Sequence, residues 1–165
     1  MIADGVHLHD IVVRLAARAA GPGRLVLVSD AMAAAGMPDG RYQLGSMRVT
    51  VAGGVARLQE DLAGPGPART AARADAIASS TATPSGAIAG STATLADVVR
   101  HAIAAGLPVP EVAAAASTTP ARVLGLADRL GALRPGLAAN LVVCDDDLAV
   151  RAVMLRGRWL PALSR

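Results

Sequence analysis

Asp30 is the first residue whose position suggests chemistry, because it stands where an apolar run ends. Residues 25–28 are four consecutive branched apolar residues, and Gly23 bounds them on the other side, which is typical of a fully buried strand in a parallel sheet. The carboxyl end of such a strand is a rigid place from which catalytic groups are presented. Aspartate is also common at strand ends as a turn-forming residue. The strand alone therefore leaves both roles open, catalytic carboxylate or turn cap.

Histidines supply the other side chains suited to proton transfer or metal binding. His7 and His9 stand two apart, so they share a face on a strand but not on a helix. With Asp30 they would make a facial metal triad, but no glutamate or third histidine is close in sequence, which favours a substrate contact. The spacing equally allows His7 to be an ordinary polar loop residue. His101 falls on a predicted helix beside Arg100, and we expect it to be solvated.

A third candidate is the glycine-bracketed run at residues 86–91, just before a predicted helix. Backbone N–H groups in such a run can face an anion or a sugar at the approach to a helix. The same composition also fits a tight loop with no ligand. No nucleotide-binding loop and no serine nucleophile motif occurs in the sequence.

Composition limits the class of protein and its partners. The 165 residues suffice for one ordinary domain, and 53% hydrophobic content with 1% aromatic residues requires alanine and valine to fill the core, which suits an α/β layer architecture. The net charge of +3 comes from scattered arginines, so we expect no nucleic-acid partner. The single Cys144 excludes an intramolecular disulfide and indicates a reducing, cytoplasmic location. No apolar run approaches the ~20 residues of a membrane span, so we expect no membrane partner.

The remaining patterns predict the elements that must position these groups. An apolar stripe over residues 8–20 predicts a helix that packs on Leu8, Ile11, Val12, Leu15, Ala16 and Ala19. Residues 41–58 alternate as a β-hairpin or meander, and residues 60–85 read as a flexible insertion. Thr94 and Asp97 form a capping-box pair at the start of another helix. Further helices are predicted to begin near Pro110 and Thr119, and strands at residues 141–145 and 150–159.

Five short motifs then follow one another along the chain: residues 3–7 (ADGVH), 27–36 (LVSDAMAAAG), 42–45 (YQLG), 87–91 (AIAGS) and 119–126 (TPARVLGL). In this order they resemble the N-acetylglucosamine-6-phosphate deacetylase family of the amidohydrolase superfamily. The resemblance covers nearly the whole chain except residues 60–85.

The resemblance implies an α/β fold class, the C-terminal part of a metal-dependent (β/α)8 TIM barrel of amidohydrolase type plus strands of a small β-sandwich domain. Residues 1–135 would be the barrel portion, with the hairpin as an excursion at 41–58 and the insertion at 60–85. Residues 136–165 would be the sandwich strands. A complete barrel of this kind needs ~250 residues, so the chain corresponds to roughly the last third of the fold.

The resemblance also implies the site. Asp30 would be the catalytic residue that takes a proton from a metal-bound water and returns it to the departing amine. The divalent metal would be of the zinc or iron class, and its ligands, a glutamate and two histidines, would lie upstream, so this chain supplies no metal ligand. The substrate-binding residues would be Asp4, Gly5, Val6, His7, Ile88, Ala89 and Gly90.

The implied reaction is hydrolysis of the acetamide of N-acetylglucosamine 6-phosphate to glucosamine 6-phosphate and acetate, by a fragment expected to be inactive alone. The implied partners are the amino-sugar phosphate and, for the full-length family, a second copy in a homo-oligomer, a dimer. A partial barrel also exposes apolar edges, so we expect the isolated chain to associate. The alternatives are another amidohydrolase, dihydroorotase-like or acting on N-acetylgalactosamine 6-phosphate, and a non-catalytic remnant or half of a split enzyme.

Overall fold

A computed structural model of the chain describes residues 1–59 and 86–161, and the insertion predicted at 60–85 lies outside the described residues. Helices and strands are mixed along the chain, as the α/β prediction requires. The described elements are α1 (Asp10–Ala20), β1 (Gly40–Leu44), β2 (Met47–Ala52), β3 (Val55–Leu58), α2 (Leu95–Ala104), α3 (Val109–Ala116), α4 (Thr118–Val123), β4 (Leu141–Cys144), β5 (Val150–Leu155) and β6 (Arg158–Trp159). Among these helices, none is long and apolar enough to cross a membrane.

The chain divides into two compact units. The first comprises Met1–Asp30 together with the chain from Ala93 onward, and the second is Ala31–Thr92. The chain therefore passes from the first unit to the second directly after Asp30 and returns before Ala93.

Valine and alanine fill the core of the first unit, as the shortage of aromatic residues predicts. Helices α1, α2 and α3 each contribute a fully buried valine, and Leu27 of the apolar run joins them. The buried members of this core are Ala3, Val13, Leu27, Val98, Ala102, Ala105, Leu107, Val112 and Ala115. Small side chains of this kind allow the backbones of helices and extended segments to approach closely.

The apolar run before Asp30 is extended but is not one of the strands of the structure, and the prediction that it is fully buried is wrong. The Met1 ammonium donates to the Val26 carbonyl (2.7 Å) and the Val28 N–H donates to the Met1 carbonyl (3.1 Å), while the Leu27 N–H donates to the Ala115 carbonyl (2.9 Å). Because successive side chains of an extended segment point to opposite sides, Leu27 enters the core and Val28 is 44% exposed. In the described part of the chain, one side of this segment is left uncovered.

Helix α1 buries a different face from the one that its apolar stripe predicts. Val13 is fully buried, whereas Ile11 and Leu15 are 61% and 66% exposed and Val12 is also exposed. The helix is apolar on most sides because alanines and valines surround the stripe, so periodicity alone does not identify the packed face. His9 caps the helix through a hydrogen bond that its Nδ1 accepts from the Ile11 N–H (3.3 Å).

The second unit is built on an antiparallel sheet in the order β1-β2-β3, at the place where the alternating pattern predicts a hairpin or meander. Its core contains Met32, Ala34, Val49, Val51, Ala56 and Ala89. The run that begins at Gly86 lies along the free edge of β3, because the Leu58 N–H donates to the Ala87 carbonyl (2.9 Å) and the Ala89 N–H donates to the Ala56 carbonyl (3.0 Å).

The last strands form a second antiparallel sheet in the order β4-β5-β6. The single strand predicted over residues 150–159 is divided by a turn at Arg156 and Gly157, where φ is 51° and 77°. Two successive residues with positive φ produce the tight hairpin turn that matches the twist of antiparallel strands. Arginine does not indicate such a turn, so the sequence pattern missed it.

Helix α2 begins with the capping box that the sequence predicts. The Thr94 hydroxyl accepts the Asp97 N–H (3.3 Å), and the Asp97 carboxylate accepts the Thr94 N–H (2.8 Å). Desolvation raises the pKa of Asp97, but hydrogen bonds from Thr94 and the adjacent Arg100 guanidinium outweigh it and hold this pKa below the ordinary carboxyl value. The ionised carboxylate therefore stabilises the folded chain.

We expect Asp97→Asn to lower the free energy of unfolding by about 0.5–1 kcal/mol near neutral pH, through loss of the charged partner at the helix N-terminus. Because the folded pKa is depressed, the stabilisation is complete above the unfolded-state pKa and disappears as the pH falls through the folded pKa. Chemical denaturation from pH 6 downward should show the two proteins converging in acid. Asp128→Asn, which changes an exposed carboxylate, is the control; a pH-independent gap would contradict the prediction.

Candidate active site

The loop at residues 4–7 is organised by the Asp4 carboxylate. Oδ1 accepts the backbone N–H groups of Val6 and His7 (3.0 Å each), and Oδ2 contacts His7 Nδ1 at 2.9 Å. The Asp4 side chain is 2% exposed, so these partners replace water around a buried carboxylate. One side chain thus fixes both the backbone of the loop and the orientation of the imidazole.

His7 presents its second ring nitrogen to the end of the apolar run. A carboxylate only accepts hydrogen bonds, so Nδ1 carries a proton in its contact with Asp4. Nε2 then remains for a second partner, and it lies 3.9 Å from Asp30 Oδ2. The His7 side chain is 19% exposed and that of Asp30 is 53% exposed, so the two groups meet where solvent or a ligand can reach them.

Asp30 has an unusual backbone as well as an exposed carboxylate. Its φ is 54°, in the left-handed region, which aspartate tolerates better than most residues. Conformations of this kind are frequent at functional sites, where surrounding contacts hold them. Here the preceding residues are anchored by backbone hydrogen bonds to Met1 and Ala115, so the carboxylate follows a fixed segment.

The loop also has a contact that the sequence analysis missed. His101 is not solvated as expected: its side chain is 30% exposed, and its Nε2 lies 3.0 Å from Asp10 Oδ1. Its ring lies against Gly5, where an added Cβ would be 2.7 Å from His101 Cε1. The 91 residues that separate Asp10 from His101 carry no local pattern that would reveal this contact.

The other predicted substrate residues, Ile88, Ala89 and Gly90, belong to the second unit. Ala89 is 4% exposed and its side chain is part of the sheet core, so only its backbone can reach a ligand. Ile88 forms an isolated antiparallel bridge with Arg57, whose Nη1 donates to the Gly86 carbonyl (2.8 Å). Gly90 has φ of 76°, a conformation that a side chain would strain.

The described residues do not by themselves fit a metal centre. Within 1–59 and 86–161, no three His, Cys, Asp or Glu side chains are arranged to hold an ion. His7 Nε2 and Asp30 offer two donors, whereas a catalytic zinc site uses three protein ligands. These two groups instead suit acid–base chemistry and hydrogen bonding to a polar substrate atom.

We expect Asp4→Ala to shift the tautomer of the neutral His7 imidazole, so that the proton moves from Nδ1 to Nε2. We also expect the free energy of unfolding to fall by about 1–3 kcal/mol, because three donors lose a charged acceptor. Long-range proton–nitrogen NMR spectra report the tautomer, and chemical denaturation reports the stability. Asp39→Ala is a matched control, since Asp39 accepts the N–H groups of Gly53 and Gly54 in the second unit. An unchanged His7 tautomer in Asp4→Ala would contradict the assignment.

Comparison with known proteins identifies the family of the chain. The chain matches the amidohydrolase family over residues 1–160. It is 36% identical to a putative N-acetylgalactosamine-6-phosphate deacetylase of Escherichia coli K12, over 96% of this chain and 80% of that protein. It is 34% identical to the N-acetylglucosamine-6-phosphate deacetylase of Vibrio furnissii, over 96% of this chain and 33% of that protein.

Solved structures give the same result for the fold. The chain superposes on N-acetyl-D-glucosamine-6-phosphate deacetylase of Mycobacterium smegmatis, crystallised as a mutant with N-acetyl-D-glucosamine-6-phosphate, with a TM-score of 0.72 and 41% identity over 96% of this chain and 36% of that one. The Thermotoga maritima deacetylase gives a TM-score of 0.76 and 31% identity over 96% and 37%. Apart from the shorter E. coli K12 protein, the chain spans about a third of the length of these relatives. The chain belongs to the amidohydrolase family and has an amidohydrolase-type fold.

Proposed function

We propose that this chain carries the proton-transfer part of an enzyme that hydrolyses the acetamide of N-acetylglucosamine 6-phosphate to glucosamine 6-phosphate and acetate. The observation that carries the proposal is the pair formed by the exposed Asp30 carboxylate and His7 Nε2, 3.9 Å apart and held by Asp4. Similarity to deacetylases that act on amino-sugar phosphates supports the substrate class.

Asp30 acts first as a base and then as an acid. Amide hydrolysis needs a proton removed from the attacking water, and it needs a proton delivered to the nitrogen, since an unprotonated amine is a poor leaving group. A single exposed carboxylate can perform both transfers in turn. The anchored segment before Asp30 keeps its backbone in place during the two transfers.

His7 orients the substrate. Its Nε2 faces Asp30 and is the nitrogen that Asp4 leaves available, so it can form a hydrogen bond with the acetamide group. Asp4 thereby acts on the substrate through His7, while Gly5 and Val6 present the adjacent backbone. In the second unit, the backbone of residues 88–90 is the substrate contact that we propose, because the Ala89 side chain is buried.

The amidohydrolase family is generally metal-dependent, and we propose a divalent ion of the zinc or iron class for the complete enzyme. We propose that its ligands come from the rest of the complete enzyme, since the described residues offer no group of three suitable side chains. The chain then supplies the C-terminal part of a (β/α)8 barrel over residues 1–135 and strands of a small β-sandwich over 136–165. The complete enzyme is proposed to be a cytoplasmic homodimer, and this portion is expected to be inactive alone.

A second candidate substrate is N-acetylgalactosamine 6-phosphate. The E. coli relatives of K12 and of O157:H7 carry that substrate in their names, each with 36% identity to this chain. The two sugars differ only in the configuration of one hydroxyl group, so the same acid–base pair serves both. Discrimination must come from residues that contact the ring rather than from Asp30.

The test is a chimera in which this chain replaces the matching C-terminal third of the Mycobacterium smegmatis enzyme. We expect zinc-loaded chimera to release acetate from N-acetylglucosamine 6-phosphate, and Asp30→Asn to lower kcat about 10²–10⁴-fold with metal content unchanged, since general acid–base catalysis contributes that factor. Acetate release is measured against both sugar phosphates, and metal content by elemental analysis. Asp128→Asn is the control carboxylate.

Two outcomes would contradict parts of the proposal. Retention of kcat within threefold in Asp30→Asn would remove the proton-transfer role. Normal turnover by this chain alone with added zinc would show that it is not a portion in need of the remaining barrel. Faster release from N-acetylgalactosamine 6-phosphate would favour the second candidate.

A further inference from the structure

His101 lies directly against the loop that carries His7, although it comes from a distant helix. Three atoms of its ring surround the place where a Gly5 Cβ would be: Cε1 at 2.7 Å, Nδ1 at 3.0 Å and Nε2 at 3.2 Å. A face of the imidazole therefore covers the Cα of Gly5. Because Gly5 also has φ of +78°, the loop can adopt this position only with glycine there.

The His101 ring is itself held by a contact with Asp10. His101 Nε2 lies 3.0 Å from Asp10 Oδ1, and Asp10 is the first residue of α1. The contact joins α2 to the start of α1, three residues after His7. Both side chains are partly exposed, at 30% and 46%, so their contact contributes little to global stability. Its effect is to fix the position of the ring.

We infer that His101 is a positioning residue for the candidate active site: held by Asp10, its ring fixes Gly5 and with it the loop from Asp4 to His7. Asp4 accepts hydrogen bonds from residues of the loop itself. His101 adds a contact from a distant helix. The inference rests on the proposed function only where it gives the loop a role in catalysis. The structural coupling, by which His101 fixes the position of the loop, does not depend on that function.

The coupling is tested by NMR relaxation on this chain. Rigid backbone has amide order parameters of about 0.85 and flexible backbone values below about 0.6. We expect rigid values for Val6 and His7 in the native chain and a fall toward the flexible range in His101→Ala. Arg100→Ala is the matched control, because Arg100 lies on the same helix but donates to the Leu148 carbonyl, away from the loop (3.2 Å). Unchanged order parameters in His101→Ala would overturn the inference.

A double-mutant cycle separates positioning from general destabilisation. Gly5→Ala places a methyl group against the ring and should disorder the loop, whereas Gly5→Ala combined with His101→Ala removes the steric part of that conflict and should partly restore the Val6 and His7 order parameters. Strictly additive effects would overturn the inference. His101→Phe, which keeps a flat ring but lacks the bond to Asp10, should give an intermediate result.

The activity arm uses the chimera described above. With His101→Ala we expect kcat to fall about tenfold with KM changed less, because a loosened His7 loses alignment more than binding. If the chimera is inactive altogether while the order parameters respond as expected, the proposed function fails and the coupling stands. If the chimera is active and His101→Ala changes neither kcat nor the order parameters, the positioning role fails and the proposed function stands.

Discussion

The buried Asp4 carboxylate is the interaction on which the candidate site depends. Both of its oxygens are used within four residues, two bonds going to backbone N–H groups and one contact to the His7 ring. A buried carboxylate without such partners would carry a large desolvation cost, so these hydrogen bonds stabilise this conformation of the loop. The placement of His7 Nε2 opposite Asp30, and therefore any shared chemistry of that pair, follows from it.

Features that form between residues close in sequence could be predicted from local sequence patterns. The Thr94–Asp97 capping box and the alternating strands of residues 41–58 depend on neighbours that are close in sequence, and the structure has them there. The capping box involves only four consecutive residues, so no distant part of the chain is needed to form it.

Other features could not be predicted because they depend on partners that are distant in the sequence. The face that α1 buries is set by α2 and α3, and a helix with apolar residues on most sides gives no sign of the choice. The exposure of Val28 depends on what covers one side of its segment. The contact of His101 with Gly5 joins residues far apart in the chain, and glycine has no side chain whose type would indicate a partner.

The candidate residues are divided between two compact units, and the division affects how each is held. Asp4, His7 and Asp30 are held by loop contacts and by an extended segment in the first unit. Residues 88–90 are held in the second unit as an edge of an antiparallel sheet. The candidate residues therefore rest on two different kinds of scaffold, a loop with an extended segment in the first unit and the edge of an antiparallel sheet in the second.

The parallel bridge between Ala31 and Ser91 has a consequence for how such proteins diverge. Met32 donates to the Ser91 carbonyl (2.9 Å), so the chain enters and leaves the second unit at neighbouring points. A segment whose two ends are already adjacent can gain or lose residues between them without pulling on either end. Relatives can accordingly differ in length within this unit while the register of the segment that ends at Asp30 stays the same.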